Sequence, residues 1–171
     1  DRAFYSDDRH LYLTADGGAT WTTAAGIPPT SRIQGIVAGA GAGELFAATN
    51  KGIYRSADGG KSWAVAGTGT EKSNVRRILL DPASGTLYAG AWKEGVLRSR
   101  DGGKTWAPFG GEPPHPDVVA LALESPTSLL VGFEGNGVWR LDLAAAASAA
   151  ASPTVPKPAA APKAAPRPKK K

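Results

Sequence analysis

An all-β fold made of short, four-stranded antiparallel sheets is what this 171-residue sequence predicts, and three observations predict it. Three segments align without gaps: Thr14-Ala15-Asp16-Gly17-Gly18-Ala19-Thr20-Trp21, Ser56-Ala57-Asp58-Gly59-Gly60-Lys61-Ser62-Trp63 and Ser99-Arg100-Asp101-Gly102-Gly103-Lys104-Thr105-Trp106. Their aspartates sit 42 and 43 residues apart. The same period relates Gly52-Ile53-Tyr54-Arg55, Gly95-Val96-Leu97-Arg98 and Gly137-Val138-Trp139-Arg140, and also the apolar segments that start at Ile33, Val75 and Val118. Within a period the apolar runs are strand-length and bounded by Gly, Pro and Asp, with no helical periodicity.

The central period shows the elements in order. Val75 to Leu80 reads as a strand, and Asp81-Pro82-Ala83-Ser84-Gly85 as a turn whose Pro and Gly supply the dihedrals. Strands follow at Thr86 to Ala91, at Val96 to Ser99 and, past the Asp-Gly-Gly turn, at Thr105 to Phe109. Four antiparallel strands in a repeat of this length are the mark of a β-propeller blade. The chain then divides into a partial blade over residues 3–24, full blades over 33–66 and 75–109, and a last blade of three strands over 118–143. The first piece lacks its innermost strand and the last its outermost. A closed ring needs at least about four blades, and this chain supplies about three and a half. Because the sequence starts at Asp1 and contains no Met, the expectation is a fragment or processed product with blades missing upstream. Self-association to close the ring is the alternative.

The repeated turn has a physical logic. Two glycines permit positive φ where the chain reverses. The Asp carboxylate accepts hydrogen bonds from backbone N–H groups of its own turn, the Ser/Thr hydroxyls add more, and the Trp anchors the outer edge of the blade. Structural roles are thus expected for Thr14, Asp16, Gly18, Thr20 and Trp21, for Ser56, Asp58, Gly60, Ser62 and Trp63, and for Ser99, Asp101, Gly103, Thr105 and Trp106. Residues that repeat identically in every blade are not the differentiated set that catalysis needs. One carboxylate per turn is too few oxygens for Ca²⁺, so neither metal nor cofactor is expected.

Charge divides the chain in two. The net +5 owes six basic residues to the segment from Ala144 to Lys171, which has no acid; the remaining 14 basic and 15 acidic residues leave 1–143 close to neutral. The body therefore gives no sign of nucleic-acid binding. Residues 144–171, rich in Ala, Pro and Lys, form a basic tail that cannot bury a core and reads as disordered, able to make weak, salt-sensitive contact with an anionic surface. With no Cys, thiol nucleophiles and zinc–thiolate sites are excluded. No apolar run is long enough to span a membrane as a helix.

The pattern Ser/Thr-x-Asp-x-Gly-x-Thr/Ser-Trp resembles the Asp-box (BNR) repeat of sialidases, of xyloglucan-cleaving glycoside hydrolases, of Vps10/sortilin ectodomains and of photosystem II assembly-factor-like propellers. The preceding Leu80-Asp81-Pro82 and Thr86-Leu87-Tyr88-Ala89-Gly90 are similar to the bacterial glycosyl-hydrolase-like and assembly-factor-like versions. The resemblance implies a propeller that is bacterial in style and exported, and serves as a scaffold or binding module for protein or polysaccharide. It also implies an alternative, part of a sialidase-like or xyloglucanase-like hydrolase with its catalytic acids on other blades. The early Phe/Tyr-Arg-Ile-Pro motif that it implies for a sialidase has its nearest match in Ser31-Arg32-Ile33-Gln34, which lacks both the aromatic residue and the proline.

A ligand face would lie at the end opposite the Asp-Gly-Gly turns, on the loops between strands two and three of each blade and those entering the next. Trp92 stands there where its repeat equivalents are Asn50 and Glu134, so the blade pattern does not explain it. With Arg76, Lys93 and Glu94 it makes a candidate sugar or peptide platform; His115, Asp117, Glu134 and Asn136 complete the candidate face. A glycosidase would need two opposed carboxylates, for which Glu94, Glu112, Asp117 and Glu134 are the available residues, but no catalytic residue is assigned. Arg55, Arg98 and Arg140 recur in register and are expected to serve packing or hydrogen bonding.

Overall fold

Every β-strand has to satisfy its backbone N–H and C=O groups on a neighbour, and here each period does so within itself. A computed structural model describes residues 3–7, 10–110 and 117–144. Sequence expectations for His115, Glu112 and the basic tail from residue 145 onward fall outside those residues. The first sheet comprises β1 (Ala3–Ser6), β2 (Leu11–Thr14) and β3 (Thr22–Thr23). The second comprises β4 (Ile33–Ala38), β5 (Leu45–Thr49), β6 (Gly52–Ser56) and β7 (Ala64–Val65). The third holds β8 (Val75–Leu80), β9 (Leu87–Ala91), β10 (Gly95–Ser99) and β11 (Ala107–Phe109), and the fourth β12 (Val118–Ser125), β13 (Ser128–Phe133) and β14 (Gly137–Asp142). Each sheet is an antiparallel meander in chain order, of three, four, four and three strands. The chain is all-β and consists of propeller blades, with no helix among the described residues.

The blades stack face to face, and three apolar clusters fill the spaces between them. Leu11 and Phe4 of the first blade meet Ala47, Tyr54 and Trp63 of the second. Phe46, Ala48 and Ile53 of the second meet Ala89, Leu97 and Trp106 of the third. Tyr88, Val96 and Phe109 of the third meet Leu129, Val131 and Trp139 of the fourth. Alternation along each strand explains this pattern, since successive side chains point to opposite faces: Phe46 faces the next blade and Ala47 the previous one. Backbone bonds join the blades as well. Ala25 N–H donates to Lys61 O (2.9 Å) and Trp63 N–H to Ala25 O (2.8 Å), and Thr68 repeats the pair with Lys104 and Trp106 one blade on.

The inner strands carry a feature that sequence reasoning missed. β4, β8 and β12 each contain a bulge at the same place, so that Gln34, Arg76 and Val119 have no partner in the register. A bulge inserts one residue and reverses the phase of the side chains beyond it. Ile33 and Ile36 therefore lie in one cluster, as do Val75 and Ile78, and Val118 and Leu121.

Candidate functional site

Two sets of loops occupy opposite ends of the blades, and they differ in kind. At one end lie the Asp-Gly-Gly turns. Asp16 accepts from Thr14 Oγ1 (2.7 Å), Thr20 N (2.9 Å) and Thr20 Oγ1 (2.6 Å). Asp58 does the same with Ser56 and Ser62, and Asp101 with Ser99 and Thr105. The Ser/Thr hydroxyl that donates to each Asp also accepts from the second glycine: Gly18 N to Thr14, Gly60 N to Ser56, Gly103 N to Ser99, each 2.9 Å. The hydroxyls of Thr20, Ser62 and Thr105, followed by the backbone N–H of the same residues, hold the three carboxyls well below the usual carboxylate range. Each carboxylate is consumed by its own turn. Trp63 and Trp106 are buried between blades, and Trp63 Nε1 donates to Gly60 O (2.9 Å), whereas Trp106 Nε1 has no partner. Trp21, chemically the same residue, is 45% exposed, because its face of the first blade has no blade against it in this chain. Among the described residues, no group of three or more His, Asp or Glu is placed to hold a metal ion.

The opposite end is built from non-repeating residues. A backbone bond fixes each loop: Asn50 N–H to Arg32 O (3.1 Å), Trp92 N–H to Asn74 O (2.9 Å) and Glu134 N–H to Asp117 O (3.0 Å). In the second blade the Asn50 side chain turns back to accept from Arg32 N (2.7 Å). Trp92 cannot do that, and its indole remains 40% exposed. The bulge residue Arg76 lies over the indole with its guanidinium carbon 4.8 Å from a ring centroid, and Lys93 Nζ is 5.7 Å away, both within cation–π range. Arg76 also pairs with Glu134 of the next blade (2.8 Å), while the preceding bulge residue, Gln34, donates to Asn74 of its own next blade (2.7 Å).

Lys93 is the one non-glycine residue at positive φ among those described, at 66°. Its N–H donates to Asp117 Oδ1 (2.9 Å), which holds this strained backbone in place. Glu94 accepts from Ser73 Oγ (2.8 Å). The structure therefore brings Arg76, Trp92, Lys93, Asp117 and Glu134 together through direct contacts, sets Glu94 on Ser73 of the neighbouring loop, and adds Gln34, which sequence reasoning had not placed there. Asn136 stands apart: its described bonds run to Phe133 O and from Trp139 Nε1, within its own turn. The recurring arginines serve their blades, Arg55 pairing with Glu44, Arg140 with Glu124, and Arg98 lying 4.2 Å over the Phe109 ring.

Successive antiparallel meanders of three or four strands with inter-blade cores, an end of self-satisfied turns and an end of irregular loops define a β-propeller domain. The chain belongs to the family of the DUF6242 beta propeller domain, whose family model matches residues 3–122. No curated protein matches it. Among solved structures it is similar to a GH74 xyloglucanase from Xanthomonas campestris, with 17% identity, a TM-score of 0.63, and coverage of 80% of this chain and 26% of that one. It is similar to the extracellular domain of a putative one-component system from B. thetaiotaomicron at 17% identity and TM-score 0.66, covering 82% of this chain and 19% of that one. It is also similar to YCF48 bound to D1 peptide, at 16% identity and TM-score 0.53, covering 78% of this chain and 44% of that one. At such identities the likeness establishes the fold alone. The chain spans from about a fifth to less than half of each of these structures.

Proposed function

We propose that this domain is a non-catalytic binding module of the Asp-box type, and that it docks a protein segment or a polysaccharide chain on the end that carries Trp92. The observation that carries this reading is a half-exposed indole fixed by Arg76 and Lys93 at a position where the blade pattern has Asn50 and Glu134. An aromatic plate with fixed cations and nearby hydrogen-bonding groups suits a sugar ring or an extended peptide. The carboxylates of the same end, Glu94, Asp117 and Glu134, are each occupied by a positioned partner, which favours a scaffold over an acid/base pair. The likeness to one protein bound to a peptide and to a xyloglucanase is compatible with either ligand. The extracellular neighbour favours an exported protein. The basic segment beyond residue 144 would add a weak anionic contact of its own, one that fades with salt.

The test is affinity measurement on soluble polysaccharides, xyloglucan among them, and on a peptide library. Binding should be saturable and without turnover. Trp92→Ala should weaken it at least about tenfold, as aromatic anchors of interfaces do, while Trp21→Ala leaves it unchanged. The alternative, part of a glycoside hydrolase, is favoured by the GH74 likeness. It would show itself as released product, lost in a Glu94→Ala/Glu134→Ala double variant.

A further inference from the structure

The loops between the second and third strands of the last two blades share one frame. Trp92-Lys93-Glu94 lies between the register partners Ala91 and Gly95, and Glu134-Gly135-Asn136 between Phe133 and Gly137. Lys93 therefore occupies the position of Gly135, and both are left-handed, with φ of 66° and 73°. Glycine takes that conformation freely, whereas a lysine is strained in it. Packing does not explain the choice, since a Cβ on Gly135 would meet nothing within 4 Å. The third blade thus keeps a lysine in a turn that suits glycine, and Asp117 Oδ1 holds its N–H at 2.9 Å. Strain of this kind collects at ligand clamps, where the surroundings over-determine the residue.

What the lysine adds is its ammonium group. Lys93 is exposed, and its Nζ stands 5.7 Å from the Trp92 ring with no ion pair among the described residues. The neighbouring charges are already matched. Arg76 pairs with Glu134, Glu94 accepts from Ser73 Oγ, and Asp117 accepts from the Lys93 N–H. An unmatched cation beside an exposed indole is what remains, and its complement is an anion on a ligand that stacks.

The same loops separate a sugar from a peptide. An extended peptide that adds to a sheet edge needs a row of unpaired backbone groups. Here the backbone N–H groups of Asn50, Trp92, Lys93, Glu134 and Asn136 all donate within the protein. Recognition at this point falls to the indole plate and the ammonium group. A pyranose ring lays its C–H face on an aromatic plate, and a uronic acid carries a carboxylate on that same ring.

We propose that Trp92 and Lys93 form one subsite for an acidic sugar, in which a uronic acid ring stacks on the indole and the Lys93 ammonium donates to its carboxylate. The inference rests on the binding-module reading and narrows its ligand to an acidic polysaccharide. Arg76 positions the indole, and Asp117 positions Lys93 through its backbone.

Calorimetric titration of the 171-residue chain with tetragalacturonate and with its methyl ester tests this, because the two share their rings and differ in charge. The acid should bind at least about fivefold more tightly than the ester, as a charge-assisted hydrogen bond allows. Lys93→Gln should remove that preference and Lys93→Arg should retain it. Added salt should weaken the acid and spare the ester. Lys93→Gly should also remove the preference without lowering the Tm, since glycine relieves the strain. Equal, Trp92-dependent affinities for acid and ester would overturn the acidic-sugar subsite and leave the binding-module reading standing. Trp92-dependent binding of polyglutamate in place of tetragalacturonate would overturn it in favour of an acidic peptide. A Tm that falls in Lys93→Gly would overturn it by showing that the lysine is kept for packing. No Trp92-dependent binding of any of these probes, or of xyloglucan, would overturn this inference and the reading beneath it together.

Discussion

Gly102 and Gly103 are neighbours in one turn, both at positive φ (69° and 81°), and the same substitution at the two sites should have very different costs. An alanine Cβ at Gly102 meets nothing within 4 Å, so Gly102→Ala bears only the left-handed penalty, about 1–2 kcal/mol. At Gly103 the same Cβ would lie 2.7 Å from Phe46 Cε1 and 3.4 Å from Cζ. Phe46 cannot swing away, being buried among Ile53, Leu97 and Trp106. Overpacking of this kind adds about 1–3 kcal/mol. Gly103→Ala should therefore be the worse variant by about 2 kcal/mol, which corresponds to roughly 4–8 °C in Tm for a chain of this size. Urea melts followed by circular dichroism give both values. Phe46→Leu placed in the Gly103→Ala background should recover at least about 1 kcal/mol relative to additivity, since the two residues are in contact. Equal losses at Gly102 and Gly103, or no coupling with Phe46, would refute the blade-to-blade packing described above.

Three further outcomes are expected. Trp63→Ala should cost about 3–5 kcal/mol, because Trp63 is only 5% exposed between two blades; Trp21→Ala should cost far less, since Trp21 is 45% exposed, and similar losses would mean that burial does not distinguish the two turns. The three turn aspartates have folded pKa values depressed by their hydroxyl and amide donors. The stability they contribute is thus complete above the unfolded value of about 3.9 and is lost as pH falls through that value toward the folded ones. Urea midpoints should fall steeply below about pH 4, less so in Asp58→Asn, and a flat acid profile would contradict the bonding pattern. Removing residues 152–171, whose only large apolar side chain is Val155, should leave Tm unaltered while reducing any salt-sensitive binding to an anionic polymer; a clear drop in Tm would show that the segment packs on the body.

Much of the fold was legible because repetition multiplies weak local signals. A single Asp-Gly-Gly could be any turn, but three in register with apolar runs at one period fix blade boundaries to within a residue or two. Trp92 was legible for the opposite reason, as a departure from its equivalents. The bulges were not. A one-residue insertion in a strand of six or eight residues leaves composition and turn signals untouched. Its trace is the odd spacing of Ile33/Ile36, Val75/Ile78 and Val118/Leu121, apolar pairs that a regular strand would send to opposite faces. Arg76 owes its position over Trp92 to that insertion. The contrast between Trp21 and Trp63 was likewise hidden, since burial depends on the neighbouring blade and not on the residues of the turn.

The most direct test of the binding-module account is the indole N–H spectrum of the protein, labelled at its five tryptophans, during titration with xyloglucan and with the peptide library. Trp92 is assigned by its loss in Trp92→Phe. The account predicts that the Trp92 signal shifts saturably with one of these ligands while Trp63 and Trp106 stay still, and that no cleaved glycan appears. A Trp92 signal that remains fixed while a ligand binds elsewhere, or reducing ends released during the titration, would contradict it.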